Sequence, residues 1–375
     1  MVTAPGPARV LVTGGSGFLG TEICRQLTAR GTETVSFSRR PSRTLEQLGV
    51  RQVHGDLLDR AALDRAVAGC DAVVHNAALA GISGAPGPYW RTNVAGTRAV
   101  IDRCRAHGVR TLVHTSTASV VFRPGGLENA DERLPYPVRH LAAYPRTKAV
   151  AEALVLDANG PELAALSLRP HIIWGPGDPH FLPALTRLVR RQALVMPGSG
   201  ANLVDTTHVR TAAHAHLLAL DRLHQGQPVG GRAYFIAQGE PLPLGGFLAL
   251  LLATAGIRAT WRPVPVPLAV AAAVAREAVG RLRRGTGGRT GAGAGTDPGA
   301  GARSHTGTGT RDLSRFLVAE LVHPHWFDLT AARRDLGFTP PIGLAEGMHH
   351  AFEAAGRPGG GAGGIADLLS GLALD

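Results

Sequence analysis

Tyr144 and Lys148 stand four residues apart in the stretch Tyr144-Pro145-Arg146-Thr147-Lys148, and the helix-favouring run 149–154 follows them. At this spacing both side chains project from one face of a helix, one turn apart. A fixed ammonium favours the anionic form of a neighbouring phenol, whose unperturbed pKa is about 10. We therefore predict that Tyr144 exchanges a proton with a substrate oxygen and that Lys148 lowers the pKa of Tyr144. Because many helices carry this spacing by chance, the prediction depends on the surrounding elements.

A nucleotide-binding loop is predicted near the N-terminus. Residues 9–13 are an apolar strand candidate that leads through a glycine-rich loop into a helical stretch at 21–30. Strand, glycine turn and helix in this order are the context of the dinucleotide fingerprint. Gly14 permits the tight turn, Gly17 lets the backbone approach a pyrophosphate, and Gly20 lets the helix pack on the strand. The N-terminus of the helix then faces the phosphates.

The end of the second strand candidate, residues 34–38, indicates which dinucleotide fits. A carboxylate at this place binds the ribose hydroxyls of NAD, whereas an arginine nearby accommodates the extra phosphate of NADP. The sequence has Ser38-Arg39-Arg40 here and no acid. We therefore predict NADP(H) as the preferred cofactor and NAD(H) as the alternative. Arg39 and Arg40 are alternatively an ordinary solvated pair.

Strand and helix candidates continue to alternate after this point. Asp56 follows a strand candidate and either hydrogen-bonds an adenine amino group or caps the next helix. Asn76-Ala77-Ala78 ends another strand, a helical stretch begins at Asn93, and Thr115-Ser116-Thr117 follows a third strand. This alternation predicts the α/β class, with a Rossmann-type doubly wound parallel sheet whose ligands bind at the carboxyl ends of the strands.

The composition excludes several function classes. The chain has 375 residues with 44% hydrophobic and 18% charged residues and a net charge of +11, but no nucleic-acid motif accompanies the charge. Three widely spaced cysteines, Cys24, Cys70 and Cys104, argue against a disulfide framework or a zinc cluster. No apolar run is long enough to span a bilayer and the N-terminus lacks the features of a signal peptide, so we expect a cytoplasmic protein.

Several longer motifs support one family. They are Thr13-Gly14-Gly15-Ser16-Gly17-Phe18-Leu19-Gly20, Gly55-Asp56-Leu57, His75-Asn76-Ala77-Ala78, Thr115-Ser116-Thr117, the Tyr144 stretch and Arg169-Pro170-His171-Ile172-Ile173-Trp174-Gly175-Pro176-Gly177-Asp178. Together they resemble the extended short-chain dehydrogenase/reductases and, within them, the 3β-hydroxysteroid dehydrogenase-like branch. Leu134-Pro135-Tyr136-Pro137 and Pro179-His180 add a similarity to the 2-alkyl-3-oxoalkanoate reductases of bacterial olefin and β-lactone biosynthesis.

This resemblance implies roles for individual residues. Tyr144 would be the general acid that protonates the carbonyl oxygen, and Lys148 would bind the nicotinamide ribose and lower the pKa of the tyrosine. Thr117 would donate a hydrogen bond to the developing alkoxide, with Ser116 as the alternative. Asn93 would bind the backbone of a neighbouring element and help to hold a proton-relay water. The implied cofactor contacts are Gly14, Ser16, Gly17, Phe18, Leu19, Gly20, Ser38, Arg39, Arg40, Asp56, Leu57, Asn76, Ala77, Ala78, Pro170 and Ile172.

The second half of the chain is predicted to be a smaller C-terminal substrate-binding lid. We expect the Rossmann domain at 1–174 and the substrate-binding part at 175–355, without a strict separation between them. Helical periodicity covers 182–189, 211–223 and 267–282, and 232–237 is a strand candidate. The apolar stretch 267–282 has a basic end, so it either packs as a lid helix or makes weak membrane-surface contact.

Other features of this half have simpler interpretations. A glycine-rich insertion at 285–310 and a tail at 356–375 with a short helix at 365–374 are predicted to be flexible. His214 and His216 have a poor spacing for shared metal ligation, so no metal site is predicted. His208, near Asp205, is interpreted as a satisfied core histidine, with a substrate contact as the alternative.

The resemblance implies an NADPH-dependent reductase of the 3-keto group of a long-chain 2-alkyl-3-oxo acid or thioester. Arg91, Arg123 and Arg146 are candidate cations for its carboxylate. Alternatives are a 3β-hydroxysteroid dehydrogenase/isomerase, a sugar-nucleotide epimerase, which the apolar lid disfavours, and a non-catalytic NADP(H)-binding regulator. The expected partners are the lipid substrate, pathway enzymes such as a ketosynthase and an acyl-activating enzyme, and a second copy of the chain in a homodimer.

Overall fold

A computed structural model of the chain describes residues 6–81, 84–286 and 314–356. The glycine-rich insertion predicted at 285–310 lies outside the described residues from residue 287 onward. The predicted tail beyond residue 356, with its helix at 365–374, also lies outside them.

The first half of the chain alternates strands and helices as the sequence predicts. Its strands are β1 (Arg9–Thr13), β2 (Glu33–Ser38), β3 (Arg51–His54), β4 (Ala72–His75), β5 (Thr111–Thr115), β6 (Leu127–Ala130) and β7 (Ala164–Pro170). Its helices are α1 (Phe18–Ala29), α2 (Arg43–Gln47), α3 (Arg60–Val67), α4 (Pro86–Tyr89), α5 (Gly96–Ala106) and α6 (Ala143–Asp157). A π-helical segment, Trp90–Ala95, joins α4 to α5, and a 3-10 turn, Ala118–Val120, follows β5.

The second half has shorter strands. They are β8 (Ile173–Trp174), β9 (Val189–Arg190), β10 (Ala193–Pro197), β11 (Leu203–Val204), β12 (Thr207–His208), β13 (Ala233–Ile236), β14 (Leu242–Pro243), β15 (Thr260–Val264) and β16 (His325–Phe327). The helices are α7 (Phe181–Leu188), α8 (Val209–His224), α9 (Leu244–Thr254), α10 (Val266–Thr286), α11 (Arg315–Val322) and α12 (Leu344–Ala354), with a π-helical segment at Ala332–Leu336. The predicted periodicities at 182–189, 211–223 and 232–237 thus coincide with α7, α8 and β13 to within two residues.

A seven-stranded sheet in the order β3-β2-β1-β4-β5-β7-β13 forms the centre of the molecule, and every neighbouring pair in it is parallel. Parallel strands are covered on both faces, which explains why Val10, Leu11 and Val12 of β1 are all fully buried. The strand order reverses between β1 and β4. The predicted α/β fold with a Rossmann-type sheet is confirmed, and its ligand crevice lies at the carboxyl ends of these two strands.

Helices cover both faces of the sheet. Val10 shares an apolar cluster with Leu27 of α1 and Leu220 of α8, whereas Leu11 shares the opposite cluster with Val100 of α5 and Val155 of α6. Because successive strand residues point to opposite faces, one apolar strand supplies both clusters. The result is a three-layer arrangement in which α6 lies on the face opposite α1.

The chain returns to this sheet after residue 174, the predicted boundary of the Rossmann part. Helix α8 packs on α1, and β13 pairs with β7 as the edge strand. The lid therefore consists of segments inserted around these two elements. Its own core contains Trp174, Leu185 and Phe247, and it includes the small sheet β15-β10-β9. It also supplies β14, β11 and β16 to a second small sheet, whose fourth strand is β6 of the first half.

Helix α10 lies on the surface of the lid and exposes an apolar face. Leu268 is 62% exposed, and Val270 and Val274 are also exposed, while Ala269 and Ala273 pack toward α11. Among the helices in the described part of the chain, none combines the length and apolarity that crossing a membrane requires.

Candidate active site

The glycine loop between β1 and α1 forms a tight cradle. Gly14 has a φ of +69°, and a Cβ added there would lie 2.8 Å from the Ala77 Cα. A Cβ on Gly20 would collide with the carbonyl oxygen of Gly14, so the helix packs on the loop only because residue 20 has no side chain. Gly17 precedes α1 without a side-chain cap, which leaves the first amides of the helix available to an anion. These features fit the pyrophosphate of a dinucleotide.

The ends of β2 and β3 lie beside this loop. The Ser38 hydroxyl accepts a 3.1 Å hydrogen bond from the Ser16 backbone N–H, which ties the glycine loop to β2. Arg39 and Arg40 follow directly and are exposed. Asp56 is also exposed, and its carboxylate accepts from the Leu58 N–H at 3.0 Å. Asp59, not Asp56, caps α3, so the helix-cap alternative for Asp56 is wrong.

Strand β4 completes the floor of the crevice. Asn76 donates a 3.4 Å hydrogen bond to the carbonyl oxygen of Gly14, and the Ala77 N–H donates to the Thr13 hydroxyl. Ala77 and Ala78 present only methyl groups at this point. Leu57 is buried, and its side chain fills the space above Gly96 of α5. The predicted residues at the ends of β1, β2, β3 and β4 therefore lie along one edge of the sheet.

Tyr144 projects from the first turn of α6 toward Thr117, which follows β5. A hydrogen bond from Thr117 lowers the pKa of Tyr144, but burial has the larger effect and raises it to about 12. Negative charge on Glu320 raises it further. The predicted lowering of the Tyr144 pKa by Lys148 is thus not found in the chain itself. A phenol with this pKa is protonated at neutral pH, which is the state that a proton donor needs.

The ammonium of Lys148 is buried and held by strand β5. It donates to the carbonyl oxygen of Thr115 at 2.6 Å and lies 3.1 Å from Nε2 of His114. Burial lowers the pKa of Lys148 to about 8, and the carboxylate of Glu152 acts in the opposite direction. Burial and the charge of Lys148 keep the pKa of His114 well below its usual value, so its ring is neutral and accepts the hydrogen bond.

Of the two candidate hydroxyls, Thr117 is the one whose hydrogen bonding lowers the pKa of Tyr144. Its oxygen also accepts a 3.3 Å hydrogen bond from the Ser119 N–H. The neighbouring Ser116 hydroxyl is buried and has no hydrogen-bond partner among the described residues. This arrangement favours Thr117 over Ser116 as the group beside the substrate oxygen.

Asn93 ties the catalytic helix to the loop that follows β4. Its side-chain oxygen accepts from the Leu79 N–H at 2.7 Å, and its amide donates to the Leu79 carbonyl oxygen and to the Thr147 hydroxyl, both at 3.1 Å. The predicted contact between Asn93 and the backbone of a neighbouring element is therefore present. The π-helical segment Trp90–Ala95 places Asn93 in this position.

The nicotinamide side of the crevice is predicted at Pro170 and Ile172. Pro170 ends β7 and is buried. Ile172 has a φ of +39°, which is unusual for a β-branched residue and is a strained conformation that often occurs at functional sites. Thr207 holds the segment, because its hydroxyl accepts from the His171 N–H at 3.2 Å and its own N–H donates to the Ile172 carbonyl oxygen.

Other predicted features lie apart from this centre. Arg91, Arg123 and Arg146 are all exposed. His216 bonds the Thr115 hydroxyl and His208 caps α8, which are structural roles. No group of three metal-binding side chains occurs in the described segments, and the three cysteines are buried and unpaired.

Three important groups had no predicted role. His114 is a titratable residue in the fully buried strand β5, directly after Leu112 and Val113, and this position could have marked it. Glu152 and Arg169 form a buried ion pair behind the site. Glu320 accepts a hydrogen bond from Ser119, which lies 201 positions earlier in the chain. No local pattern in the sequence indicates this contact.

Comparison with known proteins finds relatives that match most of this chain. The model of the 3-beta hydroxysteroid dehydrogenase/isomerase family matches residues 11–266. The 2-alkyl-3-oxoalkanoate reductase of Stenotrophomonas maltophilia is 41% identical over 343 residues, covering 91% of this chain and 97% of that protein. The human sterol-4-alpha-carboxylate 3-dehydrogenase, decarboxylating, is 38% identical over 247 residues, covering 65% of this chain and 66% of that protein.

Solved structures share the fold at lower sequence identity. MoeE5 in complex with UDP-glucuronic acid and NAD superposes with a TM-score of 0.67, covering 92% of this chain and 98% of that chain. Its sequence is 24% identical, so the likeness concerns the fold alone.

Proposed function

This chain belongs to the 3-beta hydroxysteroid dehydrogenase/isomerase family of oxidoreductases, and we propose that it uses NADPH to reduce the 3-keto group of a long-chain 2-alkyl-3-oxoalkanoate to the 3-hydroxy compound. The observation that carries the proposal is the Tyr144, Thr117 and Lys148 group, set at the carboxyl edge of a dinucleotide-binding sheet. The extensive identity to a 2-alkyl-3-oxoalkanoate reductase supports the substrate.

The chain's own residues account for the acid chemistry. Tyr144, protonated at neutral pH, donates its proton to the C3 oxygen of the substrate, while Thr117 stabilises the negative charge that develops there. Lys148, held by Thr115 and His114, supplies a fixed positive charge beside the nicotinamide ribose. The bound dinucleotide supplies the hydride.

The preference for NADPH rests on the residues that follow β2. Arg39 and Arg40 are exposed and adjacent to Ser38, which is bonded to the glycine loop. An arginine at this position can pair with the 2′-phosphate of NADP, and no acid is present to bind the ribose hydroxyls of NAD.

An apolar lid supports a long-chain substrate. Trp174, Leu185 and Phe247 form its core, with Phe181 and Leu188 packed against them. Phe181 and Leu188 are only partly buried, and an apolar surface of this kind suits alkyl chains better than a sugar nucleotide. A steroid would also suit an apolar lid, so a 3β-hydroxysteroid dehydrogenase/isomerase is the second candidate. A non-catalytic regulator that binds NADP(H) is disfavoured because the acid, the hydroxyl and the lysine are all in place.

We also propose where the reaction stands in a pathway and in the cell. A 2-alkyl-3-oxo acid is a product of joining two acyl chains, so we place the enzyme after a ketosynthase and an acyl-activating enzyme, in olefin or β-lactone biosynthesis. Three buried, unpaired cysteines suit the cytoplasm. The exposed apolar face of α10, with Leu268 and Val274, suits weak contact with a membrane surface. A homodimer is expected from the family resemblance alone.

The test is oxidation of NADPH and NADH by the purified protein, with a synthetic 2-alkyl-3-oxo fatty acid and a 3-oxosteroid in parallel. We expect turnover of the fatty acid and a lower KM for NADPH than for NADH. Arg39→Ala should raise the KM for NADPH by about tenfold or more and leave that for NADH nearly unchanged. Arg60→Ala, an exposed arginine on α3, is the matched control. Turnover of the steroid alone would support the second candidate function, a 3β-hydroxysteroid dehydrogenase/isomerase.

A further inference from the structure

Glu320 of α11 approaches the candidate active site from the C-terminal part of the chain. Its Oε1 accepts a 3.0 Å hydrogen bond from the hydroxyl of Ser119, which lies two residues after Thr117. Charge on Glu320 also raises the pKa of Tyr144, so the carboxyl group lies within electrostatic range of the phenol. A carboxyl group thus borders the catalytic hydroxyls, and no step described above uses it.

The surroundings of Glu320 favour its uncharged form. Burial raises its pKa to about 7, although the hydrogen bond from Ser119 acts in the opposite direction. The titratable groups around it are Tyr144 of α6 and His325 of β16, whose Nε2 lies 2.7 Å from the Glu320 carbonyl oxygen.

Among the side chains that the structure describes, the other elements packed against α11 place no charged group beside this carboxyl group. Glu277 of α10 pairs with Arg315 at the start of α11, at 2.9 Å. Strand β10 has only apolar side chains. Glu320 is therefore a carboxylic acid in part of the neutral pH range, and an acid can donate one hydrogen bond that a carboxylate cannot.

The carboxyl group of a 3-oxo acid would lie on the same side of the site as Glu320. The carboxyl carbon is two bonds from the carbon that is reduced. When Tyr144 contacts the C3 oxygen, the substrate carboxyl group must therefore lie beside the tyrosine. The candidate cations Arg91, Arg123 and Arg146 are exposed on the surface. Among the described carboxyl groups, Glu320 is the one whose charge raises the pKa of Tyr144.

Building on the proposed function, we propose that protonated Glu320 donates a hydrogen bond to the substrate carboxylate and thereby selects the free 2-alkyl-3-oxo acid over its ester or thioester. A hydrogen bond from a carboxylic acid to a carboxylate is about twice as strong as one between neutral groups. Ionised Glu320 donates no bond and repels the substrate. An ester or thioester carbonyl gains less from the bond because it carries no charge.

The test is equilibrium binding to the NADPH-loaded protein, which does not oxidise a 3-hydroxy compound. The probes are a 2-alkyl-3-hydroxy fatty acid and its methyl ester, each titrated between about pH 6 and about pH 8.5. For the wild type we expect the Kd of the acid to rise toward about tenfold per pH unit above neutrality. The Kd of the ester should change much less, and the acid should bind more tightly than the ester at the lower pH.

Two variants separate recognition from folding. Glu320→Gln keeps a hydrogen-bond donor that does not ionise, so the Kd of the acid should depend much less on pH than in the wild type, with only the titration of Lys148, whose pKa is about 8, left to change it. Glu346→Gln removes an exposed carboxylate from α12 and should keep the wild-type profile. A wild-type pH profile in Glu320→Gln, or equal affinity of the wild type for acid and ester at the lower pH, would overturn the proposal for Glu320. Failure of the proposed function would appear separately, as wild-type protein that does not oxidise NADPH with the 3-oxo acid.

Discussion

Oε1 of Glu152 lies 2.7 Å from Nη2 of Arg169, and both side chains are almost completely buried. Glu152 also accepts hydrogen bonds from Nε of Arg169 and from the Tyr136 hydroxyl. Because Glu152 stands one helical turn after Lys148, this ion pair joins the catalytic helix α6 to strand β7, which ends at Pro170. The position of Tyr144 and Lys148 relative to the cofactor crevice therefore depends on it.

Glu152→Gln should lower the stability of the protein strongly. The substitution leaves the buried guanidinium of Arg169 without its counter-charge, and breaking a buried pair in this way costs about 3–5 kcal/mol. Urea unfolding of the variant measures the loss. Glu162→Gln, an exposed residue in the loop after α6, is the control and should change stability by less than about 0.5 kcal/mol. Equal stabilities of the two variants would contradict the structural role of the pair.

Thr117→Val should reduce kcat by about 10²–10³-fold, because valine keeps the shape of threonine and removes the hydroxyl that stabilises the developing charge. Ser116→Ala should have a much smaller effect, since the Ser116 hydroxyl has no partner among the described residues. Steady-state kinetics of both variants distinguish the two hydroxyls. A larger loss in Ser116→Ala would transfer the role to Ser116.

Gly20→Ala should weaken NADPH binding by at least about tenfold, because the new methyl group collides with the Gly14 carbonyl oxygen and displaces the loop. Calorimetric titration with NADPH measures this effect. Gly87→Ala in α4 is a suitable control, since a Cβ there meets no atom within 4 Å. Unchanged affinity in Gly20→Ala would show that the loop does not hold the pyrophosphate.

His216→Gln should make the stability of the protein less sensitive to acid. Burial lowers the pKa of His216 from 6.5 to about 4, so between these values the unfolded state binds a proton that the folded state does not. The stability contributed by neutral His216 is therefore complete above pH 6.5 and is lost as the pH falls toward 4, by at most about 1.4 kcal/mol per pH unit.

The comparison of variants is the test here, because Glu320 and Asp205, whose pKa values are raised to about 7, act in the opposite direction over part of the same range. Tm is measured between pH 4 and pH 7 for the wild type, His216→Gln and His224→Gln, an exposed control. Identical slopes for the wild type and His216→Gln would contradict the assignment of a neutral, buried ring.

Local patterns in the sequence predict the parts of this protein that depend on local structure. The glycine loop, the strand ends and the Tyr144–Lys148 spacing each combine a turn or helix with its flanking apolar run, so their positions follow from backbone geometry. Partners that meet only through packing leave no such pattern. His114 of strand β5 contacts Lys148 of helix α6, and Glu320 contacts Ser119, which lies 201 residues earlier in the chain.

The pKa of Tyr144 also could not be predicted from a local sequence pattern. The spacing of Tyr144 and Lys148 suggests that the ammonium lowers the pKa of the phenol, yet the structure raises that pKa to about 12 because burial dominates. The ammonium of Lys148 instead hydrogen-bonds the Thr115 carbonyl oxygen and His114. Burial of a side chain is set by the whole fold, and the order of residues in one helix does not reveal it.

The most direct test of the account is the transfer of a label from cofactor to substrate. NADPH deuterated at the transferable position of the nicotinamide is incubated with the protein and a 2-alkyl-3-oxo fatty acid, and the product is analysed by mass spectrometry. We predict a 3-hydroxy acid with one deuterium at C3 from the wild type. Tyr144→Phe should yield almost no product while it retains NADPH binding, and the control Tyr234→Phe, whose hydroxyl bonds Asp335 away from the site, should behave as the wild type. Product without deuterium at C3, or near wild-type turnover by Tyr144→Phe, would contradict the mechanism.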